Sequence, residues 1–435
     1  MKNRVSKLIT KLNETIKLYP KQFWILFGGS FISSIGMGLI FPFFALYVRK
    51  KFGLSMTGVG YTFAAFILPS ILSQSIGGHL ADKFGRKIIM LVSLLLSSLF
   101  LLGYGFVETI TLWIFLTILD GLFGPMYNPA SSAMIADIVD SSKRLQAYGL
   151  LRIIHNLGIV IGPVIGGLLI AKISYLILFI IAAITSFIYF FVILFFIKET
   201  KPEKQEVYKE RLATLSNKEG NSNLLSEGYK KILNDRIFVY FCLVTILVSV
   251  VYSQMTTTFP VYMNENFGIL EDKYGLIMAL NASMVVLLQY PITRIISKYK
   301  KTVIMALGAF FYAIGFGSIG LSNSLLLFAI SMAILTIGEM IIIPVNTSFV
   351  ADISPEDMRG RYMGVLGIAN MLGWGIGPII GGLSIDKVGG NFIWLIIFIL
   401  GLISSAGYLS LQRILPKKVN ANEINNQNCK IVIKN

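Results

Sequence analysis

The chain has little of what the surface of a soluble protein requires. Charged side chains make up 14% of its 435 residues, whereas 55% are hydrophobic, and there are only two cysteines and two histidines. Cys242 lies in an apolar run and Cys429 near the end of the chain, so no disulfide framework is expected. No metal-ligand spacing, phosphate-binding loop or catalytic constellation is recognisable in the sequence. We therefore predict no enzyme, no ATP-driven pump, no cofactor and no metal site.

Long uncharged stretches dominate the sequence instead. Twelve apolar runs are each long enough to cross the hydrocarbon core of a bilayer as a helix, which takes about 20 residues. They lie at 23–47, 57–79, 88–106, 111–136, 146–170, 174–197, 237–262, 273–296, 302–321, 325–350, 362–385 and 391–411. The sequence therefore predicts an all-α integral membrane protein with twelve transmembrane helices.

The positive charge, +16 in formal net charge, is distributed asymmetrically. An even number of spans places both ends of the chain on one side, and most Lys and Arg residues fall there. The six on the other side are Arg49, Lys50, Lys51, Lys172, Lys273 and Lys387. This asymmetry follows the positive-inside rule, so both termini are predicted to be cytoplasmic and no nucleic-acid partner is needed. The basic trio at 49–51 is a local exception.

An internal repeat relates the two halves. The segment PASSAMIADIVDSSKRLQAYGLLRIIHNLGIVIGPVIGGLL from Pro129 aligns without a gap with PVNTSFVADISPEDMRGRYMGVLGIANMLGWGIGPIIGGLS from Pro344, an offset of 215 residues. The same offset lays DKFGRKIIM over SKYKKTVIM. Two pseudo-symmetric six-helix bundles are therefore predicted. The predicted domains are an N-terminal cytoplasmic segment 1–22, bundles 23–197 and 237–411, a cytoplasmic linker 198–236 and a cytoplasmic tail 412–435.

The turn between spans 2 and 3, GGHLADKFGRK, combines glycines for close backbone approach with charges that stay in water. It resembles the signature loop of the major facilitator superfamily, which latches the cytoplasmic side in one of two alternating conformations. The resemblance implies that Asp82 docks toward span 11 and that Arg86 pairs with Asp137. Because Ser297 stands at the place of Asp82 in the second half, the latch is expected to be one-sided. The predicted latch residues are Gly78, Asp82, Gly85, Arg86, Lys87, Asp137 and Arg144.

Span 5 carries GIVIGPVIGG, whose glycines lie on one helix face and permit close packing, while its proline bends the helix. It resembles the span 5 motif of the drug–proton antiporters within that superfamily, as GMGLIFPFFALY resembles their first span. The glycine pattern recurs as GWGIGPIIGG in span 11, so helix packing is an alternative explanation. Thr117 and Asp120 stand where the family usually has arginine and glutamine. The packing-motif residues are Gly158, Gly162, Pro163, Gly166 and Gly167.

Four ionisable side chains lie well inside predicted spans: Asp120, Arg152, His155 and Glu339. A centred charge costs on the order of 3 kcal/mol on insertion scales, so such groups usually face a water-filled cavity or a partner. Asp120 either pairs with Arg152 or acts directly in transport, and Arg152 is expected to be that partner. His155 suits proton exchange because imidazole titrates near neutral pH, yet a lone histidine beside a glycine seam is often structural.

For Glu339, within TIGEMIIIP, no basic partner is recognisable within spans 7 to 12. At the repeat offset Glu339 corresponds to Gly124 and Asp120 corresponds to Leu335. The two acids therefore lie on the same face of equivalent helices, one turn apart. In the superfamily fold spans 1, 4, 7 and 10 line the cavity, which implies that both acids face a shared space. Glu339 is predicted to be the main proton or cation site and Asp120 a secondary one. The alternative is a neutral, hydrogen-bonded structural acid.

Taken together, the resemblance implies a secondary transporter in which two bundles rock around a midplane site. The leading hypothesis is proton-coupled efflux of lipophilic, cationic small molecules across a bacterial plasma membrane by a monomer. The alternatives are an exporter or proton symporter of a specific metabolite such as a sugar, and a non-transporting membrane sensor. The expected partners are protons, the substrate and the lipid bilayer.

Overall fold

The computed structural model describes residues 17–140, 143–200, 230–355 and 358–414. All regular secondary structure in these ranges is helical. Twelve helical segments there are long and apolar enough to cross a membrane. The prediction of an all-α fold with twelve transmembrane helices is therefore confirmed. Most of the predicted N-terminal segment, linker and tail lies outside the described residues.

Spans 1 to 6 are built from eight α-helices. Span 1 consists of α1 and α2, and span 4 of α5 and α6, each pair being joined by one turn of 3-10 helix. The helices are α1 Lys21–Ile40, α2 Phe44–Phe52, α3 Met56–Phe84, α4 Arg86–Phe106, α5 Ile110–Phe123, α6 Tyr127–Ile138, α7 Arg144–Lys172 and α8 Tyr175–Phe196.

Spans 7 to 12 are built from seven α-helices. Span 7 consists of α9 and α10, and each later span is a single helix. The helices are α9 Arg236–Ser253, α10 Thr258–Phe267, α11 Glu271–Ile296, α12 Lys301–Ile319, α13 Leu325–Ile353, α14 Arg359–Val388 and α15 Phe392–Ile414.

Helix interruptions follow the repeat in one place and depart from it in another. The 3-10 turn Phe41–Phe43 in span 1 contains Pro42, which has no N–H for a helical hydrogen bond. Span 7 is interrupted by a turn at 254–257, the equivalent place at the repeat offset. Span 4 has a second 3-10 turn, Gly124–Met126, whereas α13 in span 10 continues through the equivalent position, Glu339. The two equivalent helices thus differ where the acid lies.

Helix contacts divide the described residues into two compact units. The first unit lies within 1–41 and 68–210, and the second within 42–67 and 211–435. The end of span 1 and the beginning of span 2 therefore pack with helices of the second half of the sequence. The main contacts inside the first unit are α1 with α7 and α4 with α8. Those inside the second unit are α9 with α14 and α12 with both α13 and α15.

Glycines set the closest helix approaches in both units. A Cβ on Gly38 of α1 would lie 3.2 Å from the carbonyl oxygen of Gly158 and 3.2 Å from the Cα of Gly162, both in α7. In the second unit Gly373 and Gly377 of α14 lie against α9 in the same way. Close packing of span 5 on span 1, and of span 11 on span 7, thus accounts for Gly158 and Gly162 in one copy of the glycine motif and for Gly373 and Gly377 in the other.

Candidate functional site

Glu339 lies in the middle of α13 and is half-buried. Its carboxylate accepts a hydrogen bond from the hydroxyl of Tyr252 in α9, at 3.1 Å to Oε1. A second hydrogen bond comes from Nδ2 of Asn281 in α11, at 2.7 Å to Oε2. The site therefore joins side chains of spans 7, 8 and 10 within one unit.

The amide of Asn281 has its orientation fixed by a second acceptor. Its Nδ2 also lies 2.9 Å from Oγ1 of Thr336, whose own hydroxyl donates to the carbonyl of Met332 at 2.6 Å. Both neighbours of Nδ2 accept, so the NH2 group rather than the carbonyl faces Glu339. Among the described residues Glu339 forms no ion pair. Two neutral donors, rather than a cation of the protein, therefore contact the carboxylate.

Tyr252, which donates to this carboxylate, packs against two further aromatic side chains, Tyr312 and Trp374, and we call the three the aromatic wall. The rings of Tyr252 and Tyr312 lie 5.6 Å apart between centroids, and Trp374 meets Tyr252 edge-on, also at 5.6 Å. Tyr312 is buried, whereas Tyr252 and Trp374 are only half-buried and keep accessible surface. Aromatic faces attract cations and provide apolar contact area. A carboxylate beside such faces can bind an organic cation.

Asp120 lies in α5, and its described contacts are to α4. Oδ1 accepts from the hydroxyl of Ser97 at 3.1 Å, and the hydroxyl of Tyr104 lies 3.4 Å from Oδ2. Tyr104 in turn packs on Trp113, with 4.5 Å between ring centroids. The side chain of Arg152 lies outside the described residues, so its predicted ion pair with Asp120 stays a prediction.

The absence of an acid at Gly124 has a packing cause. A Cβ there would lie 2.7 Å from Oγ of Ser97 and 3.0 Å from Oδ1 of Asp120. Ser93 also donates its hydroxyl to the carbonyl of Gly124 at 2.6 Å, which holds the 3-10 turn against α4. A side chain at 124 would therefore displace the hydrogen bond that Asp120 makes. At the repeat offset, the acid positions of the two halves differ by one helical turn.

His155 of α7 contacts α1 beside the glycine seam. Its Nδ1 lies 2.7 Å from Oγ of Ser34, and the same hydroxyl donates to the carbonyl of Ser30 at 2.7 Å. Since the serine hydrogen points to that carbonyl, Nδ1 carries a hydrogen and donates. This leaves Nε2 as the nitrogen that takes up or releases a proton, so the contact is compatible with both the structural and the proton-exchange hypothesis.

Arg86 is the centre of the latch loop. It begins α4, is buried, and lies 3.2 Å from Asp82 (Nη2 to Oδ1) and 3.1 Å from Asp137 (Nε to Oδ2). The contact with Asp137 is an ion pair without the alignment of a hydrogen bond. Gly85 before it has φ +112°, a conformation that favours glycine. Arg144 donates from Nε to the carbonyl of Val139 at 3.1 Å.

Sequence reasoning missed Glu199, which lies just after span 6. Its carboxylate accepts from the backbone N–H groups of Arg86, at 2.9 Å, and Lys87, at 3.0 Å. The first N–H groups of a helix have no partner within it, so Glu199 caps α4. The sequence shows only an acid in a polar run, and nothing local links it to a helix more than 100 residues earlier.

Sequence reasoning also missed a second ion pair, although the repeat offset indicates it. Lys301 forms an ion pair with Asp352 and donates to Oγ of Ser348 at 2.6 Å. Lys301 and Asp352 correspond to Arg86 and Asp137 at the repeat offset. The expectation of a one-sided latch is therefore wrong for this ion pair, which occurs in each half. It holds only for Asp82, whose counterpart is a serine.

Comparison with known proteins identifies the family. The family model of the Major Facilitator Superfamily matches residues 26–270 and 241–430. A Na(+), Li(+), K(+)/H(+) antiporter of Planococcus maritimus is 28% identical over 374 residues, which cover 81% of this chain and 86% of the relative. The quinolone resistance protein NorA of Staphylococcus aureus is 26% identical over 246 residues, 56% of this chain and 58% of that protein.

Among solved structures, a POT family transporter in complex with 5-aminolevulinic acid shares the fold. Its TM-score is 0.74 at 16% sequence identity, and the match covers 90% of this chain and 96% of that one. At this identity the likeness concerns the fold alone. With a family model matched along both halves and twelve spanning helices, the protein is a multi-pass membrane transporter, not an enzyme, and it belongs to the Major Facilitator Superfamily.

Proposed function

We propose that the protein exports lipophilic organic cations in exchange for protons, and that Glu339 is the group at which the two compete. The observation that carries this proposal is the half-buried carboxylate of Glu339, contacted by two neutral donors and adjoined by the aromatic wall. Sequence similarity to a cation–proton antiporter and to a quinolone resistance protein supports the same class of transport.

The chemistry of the exchange follows from the two hydrogen-bond donors that contact Glu339. When Glu339 is charged, the hydroxyl of Tyr252 and the amide of Asn281 stabilise the anion, and an organic cation completes the neutralisation. When a proton binds the carboxylate, the attraction for the cation is lost and the substrate leaves. Because proton and cation exclude each other at one carboxylate, a proton entering from outside releases the cation there. Loss of that proton to the cytoplasm prepares the site for the next cation.

The proposal also includes the orientation of the protein in the membrane. Both termini face the cytoplasm, as the asymmetry of Lys and Arg residues favours. The Arg86–Asp137 and Lys301–Asp352 pairs then lie at the cytoplasmic end of their units. Asp120, bonded to Ser97, is a secondary proton site, and His155 can accept a proton at Nε2.

A second candidate function is alkali-cation–proton antiport, which the relative from Planococcus maritimus favours. Alkali cations require several oxygen ligands with free lone pairs. At Glu339, however, Asn281 presents its NH2 group and Tyr252 its hydroxyl hydrogen, so two of the neighbouring groups donate rather than coordinate. The geometry therefore favours the organic cation.

The test is transport by purified protein in proteoliposomes with an imposed proton gradient. We expect gradient-driven movement of a lipophilic cation such as ethidium, and its fall to the rate of empty liposomes in Glu339→Gln, because an amide cannot exchange a proton. Glu108→Gln is the matched control, since it makes the same change at an exposed loop position, and it should retain transport.

Three results would contradict the proposal. Unchanged ethidium transport by Glu339→Gln would exclude the assigned role of this residue. Movement of Na⁺ or Li⁺ but of no organic cation would instead establish the second candidate. Transport of neither class under a proton gradient would favour the specific-metabolite alternative.

A further inference from the structure

A proline interrupts the hydrogen bonding of α13 close to Glu339. Pro344 lies inside this helix, little more than one turn beyond the acid. A proline has no N–H, and its ring crowds the carbonyl of the residue four positions earlier, so the helical hydrogen bond to that carbonyl is lost. In α13 this carbonyl belongs to Met340, the direct neighbour of Glu339. Because lipid offers no hydrogen-bond donor, the carbonyl of Met340 needs a donor from outside its own helix.

Gln289 of α11 provides that donor. Its Nε2 lies 3.0 Å from the carbonyl oxygen of Met340 and 2.9 Å from Oγ1 of Thr293, one turn further along α11. A backbone carbonyl only accepts hydrogen bonds, so the NH2 group of the amide faces Met340. The amide of Gln289 thus takes the place of the N–H group that Pro344 lacks.

Gln289 lies on the same side of α11 as Asn281, about two helical turns away. Asn281 donates to the carboxylate of Glu339 at 2.7 Å, and Gln289 donates to the backbone carbonyl of the next residue. α11 therefore holds both the side chain and the backbone of α13 at this depth. A change at Gln289 acts on the carboxylate through the backbone that carries it.

The combination of a glutamine and a proline recurs in the repeat. At the offset of 215 residues Gln74 is equivalent to Gln289, and Pro129 is likewise equivalent to Pro344. Span 4 is interrupted before its proline by a 3-10 turn whose carbonyls are hydrogen-bonded locally. α13, in contrast, continues as a helix through Pro344. In span 10 the side chain from α11 satisfies the carbonyl while the helix continues.

We propose that Gln289 is a positioning residue for Glu339. Its amide replaces the helical hydrogen bond that Pro344 removes, and this keeps α13 helical and aligned with α11 where the carboxylate lies. The inference rests on the proposed role of Glu339 in cation exchange. Without the amide, the carbonyl of Met340 regains a donor only if α13 unwinds or rotates, and either movement takes the carboxylate away from Asn281. Loss of the amide therefore weakens cation binding although every group that contacts Glu339 is still present.

The first measurement is thermal unfolding of the purified protein in detergent, which requires no substrate. Gln289→Met keeps the length of the side chain and removes its hydrogen-bond donors, so we expect a lower midpoint of unfolding. In a Pro344→Ala chain residue 344 has an N–H again, and the carbonyl of Met340 regains its helical partner. There Gln289→Met should leave the midpoint nearly unchanged, because the two residues are coupled through one carbonyl. An equal fall in both backgrounds would contradict the inference.

The second measurement is the kinetics of ethidium transport in proteoliposomes under a proton gradient. For Gln289→Met we expect KM to rise by about threefold to tenfold, the effect of one hydrogen bond, with the maximal rate retained. A protein that is merely destabilised would lose maximal rate at an unchanged KM. In the Pro344→Ala chain Gln289→Met should not raise KM further. Gln146→Met, the same change at an exposed position of α7, is the control and should keep the parental KM.

The two measurements separate failure of this inference from failure of the export function. Coupled unfolding of the Gln289 and Pro344 variants together with a parental KM in Gln289→Met would overturn the positioning role and leave the export function intact. Absence of ethidium transport by the parent would instead contradict the export function, and the unfolding measurement would still decide whether Gln289 replaces the missing hydrogen bond.

Discussion

At the scale of single residues, the acid Glu339 lies in a membrane span and forms no ion pair with any residue that the structure describes. The donors that contact Glu339 are neutral, and Asn281 is held with its NH2 group toward the carboxylate by Thr336. Hydrogen bonds of this kind stabilise an anion but leave its charge uncompensated. A site with that property attracts either a proton or a cationic substrate, which is the competition that an exchanger requires.

A substitution in the aromatic wall is expected to weaken the binding of an organic cation. Trp374→Leu removes the ring that meets Tyr252 edge-on, and with it a cation–π contribution of about 0.5–2 kcal/mol. We expect the Kd for an organic cation to rise by about threefold to thirtyfold, since 1.4 kcal/mol corresponds to about tenfold. Binding is measured by fluorescence titration of the purified protein.

The control for this change is Tyr290→Leu, which removes an aromatic ring that is 78% exposed on α11. It should leave the Kd unchanged. Equal weakening by both variants would show that the wall has no specific role in cation binding.

At the scale of helices, the glycine motif that resembles an antiporter signature is explained by packing. Gly158 and Gly162 of α7 lie against α1, and Gly373 and Gly377 of α14 lie against α9, so the repeat uses one type of contact twice. Glycines that serve helix contact carry little information about substrate. The asymmetry between Gly124 and Glu339 is more informative, because the equivalent helices differ there in both structure and charge.

Two substitutions on one helix test this explanation. Gly162→Ala places a methyl group against the backbone of Gly38, so we expect destabilisation of about 1–3 kcal/mol from overpacking. Gly149→Ala, also in α7, meets nothing within 4 Å and should stabilise by about 0.5–1 kcal/mol, as alanine favours the helix. Thermal unfolding of the detergent-purified variants gives the sign of each effect. A Gly162→Ala protein as stable as the parent would refute close packing at the seam.

At the scale of the whole molecule, the net charge that crosses the membrane in each exchange shows whether one acid or two exchange protons. If Glu339 alone exchanges, one proton moves against one monovalent cation and no net charge crosses the membrane. We therefore expect transport in proteoliposomes to respond to a pH gradient and to remain unaffected by a membrane potential set with valinomycin and K⁺.

Participation of Asp120 would change that outcome. Two protons per monovalent cation would move one net charge, worth about 2.3 kcal/mol per 100 mV, and transport would then respond to the potential. In that case Asp120→Asn should restore insensitivity to the potential. A response to the potential that persists in Asp120→Asn would exclude both arrangements.

The number of spans, the all-α class, the repeat and the position of the membrane acids could all be predicted from the sequence alone. These follow from local properties, because the length of an apolar run and the register of a repeat can be counted along the chain. The repeat even contained the Lys301–Asp352 pair, once its offset is applied to Arg86 and Asp137.

Which side chains and backbone groups contact these residues depends on the packing of the helices and could not be predicted. Asn281 reaches Glu339 from 58 residues away, Glu199 caps α4 from more than 100 residues further along the chain, and Asp386 binds the start of α3 across 330 residues. Such contacts depend on the rotation and depth of each helix, which packing against neighbouring helices sets and no local pattern encodes. The basic trio shows the same division, since the sequence marked it as an exception and the fold provided its acidic partners.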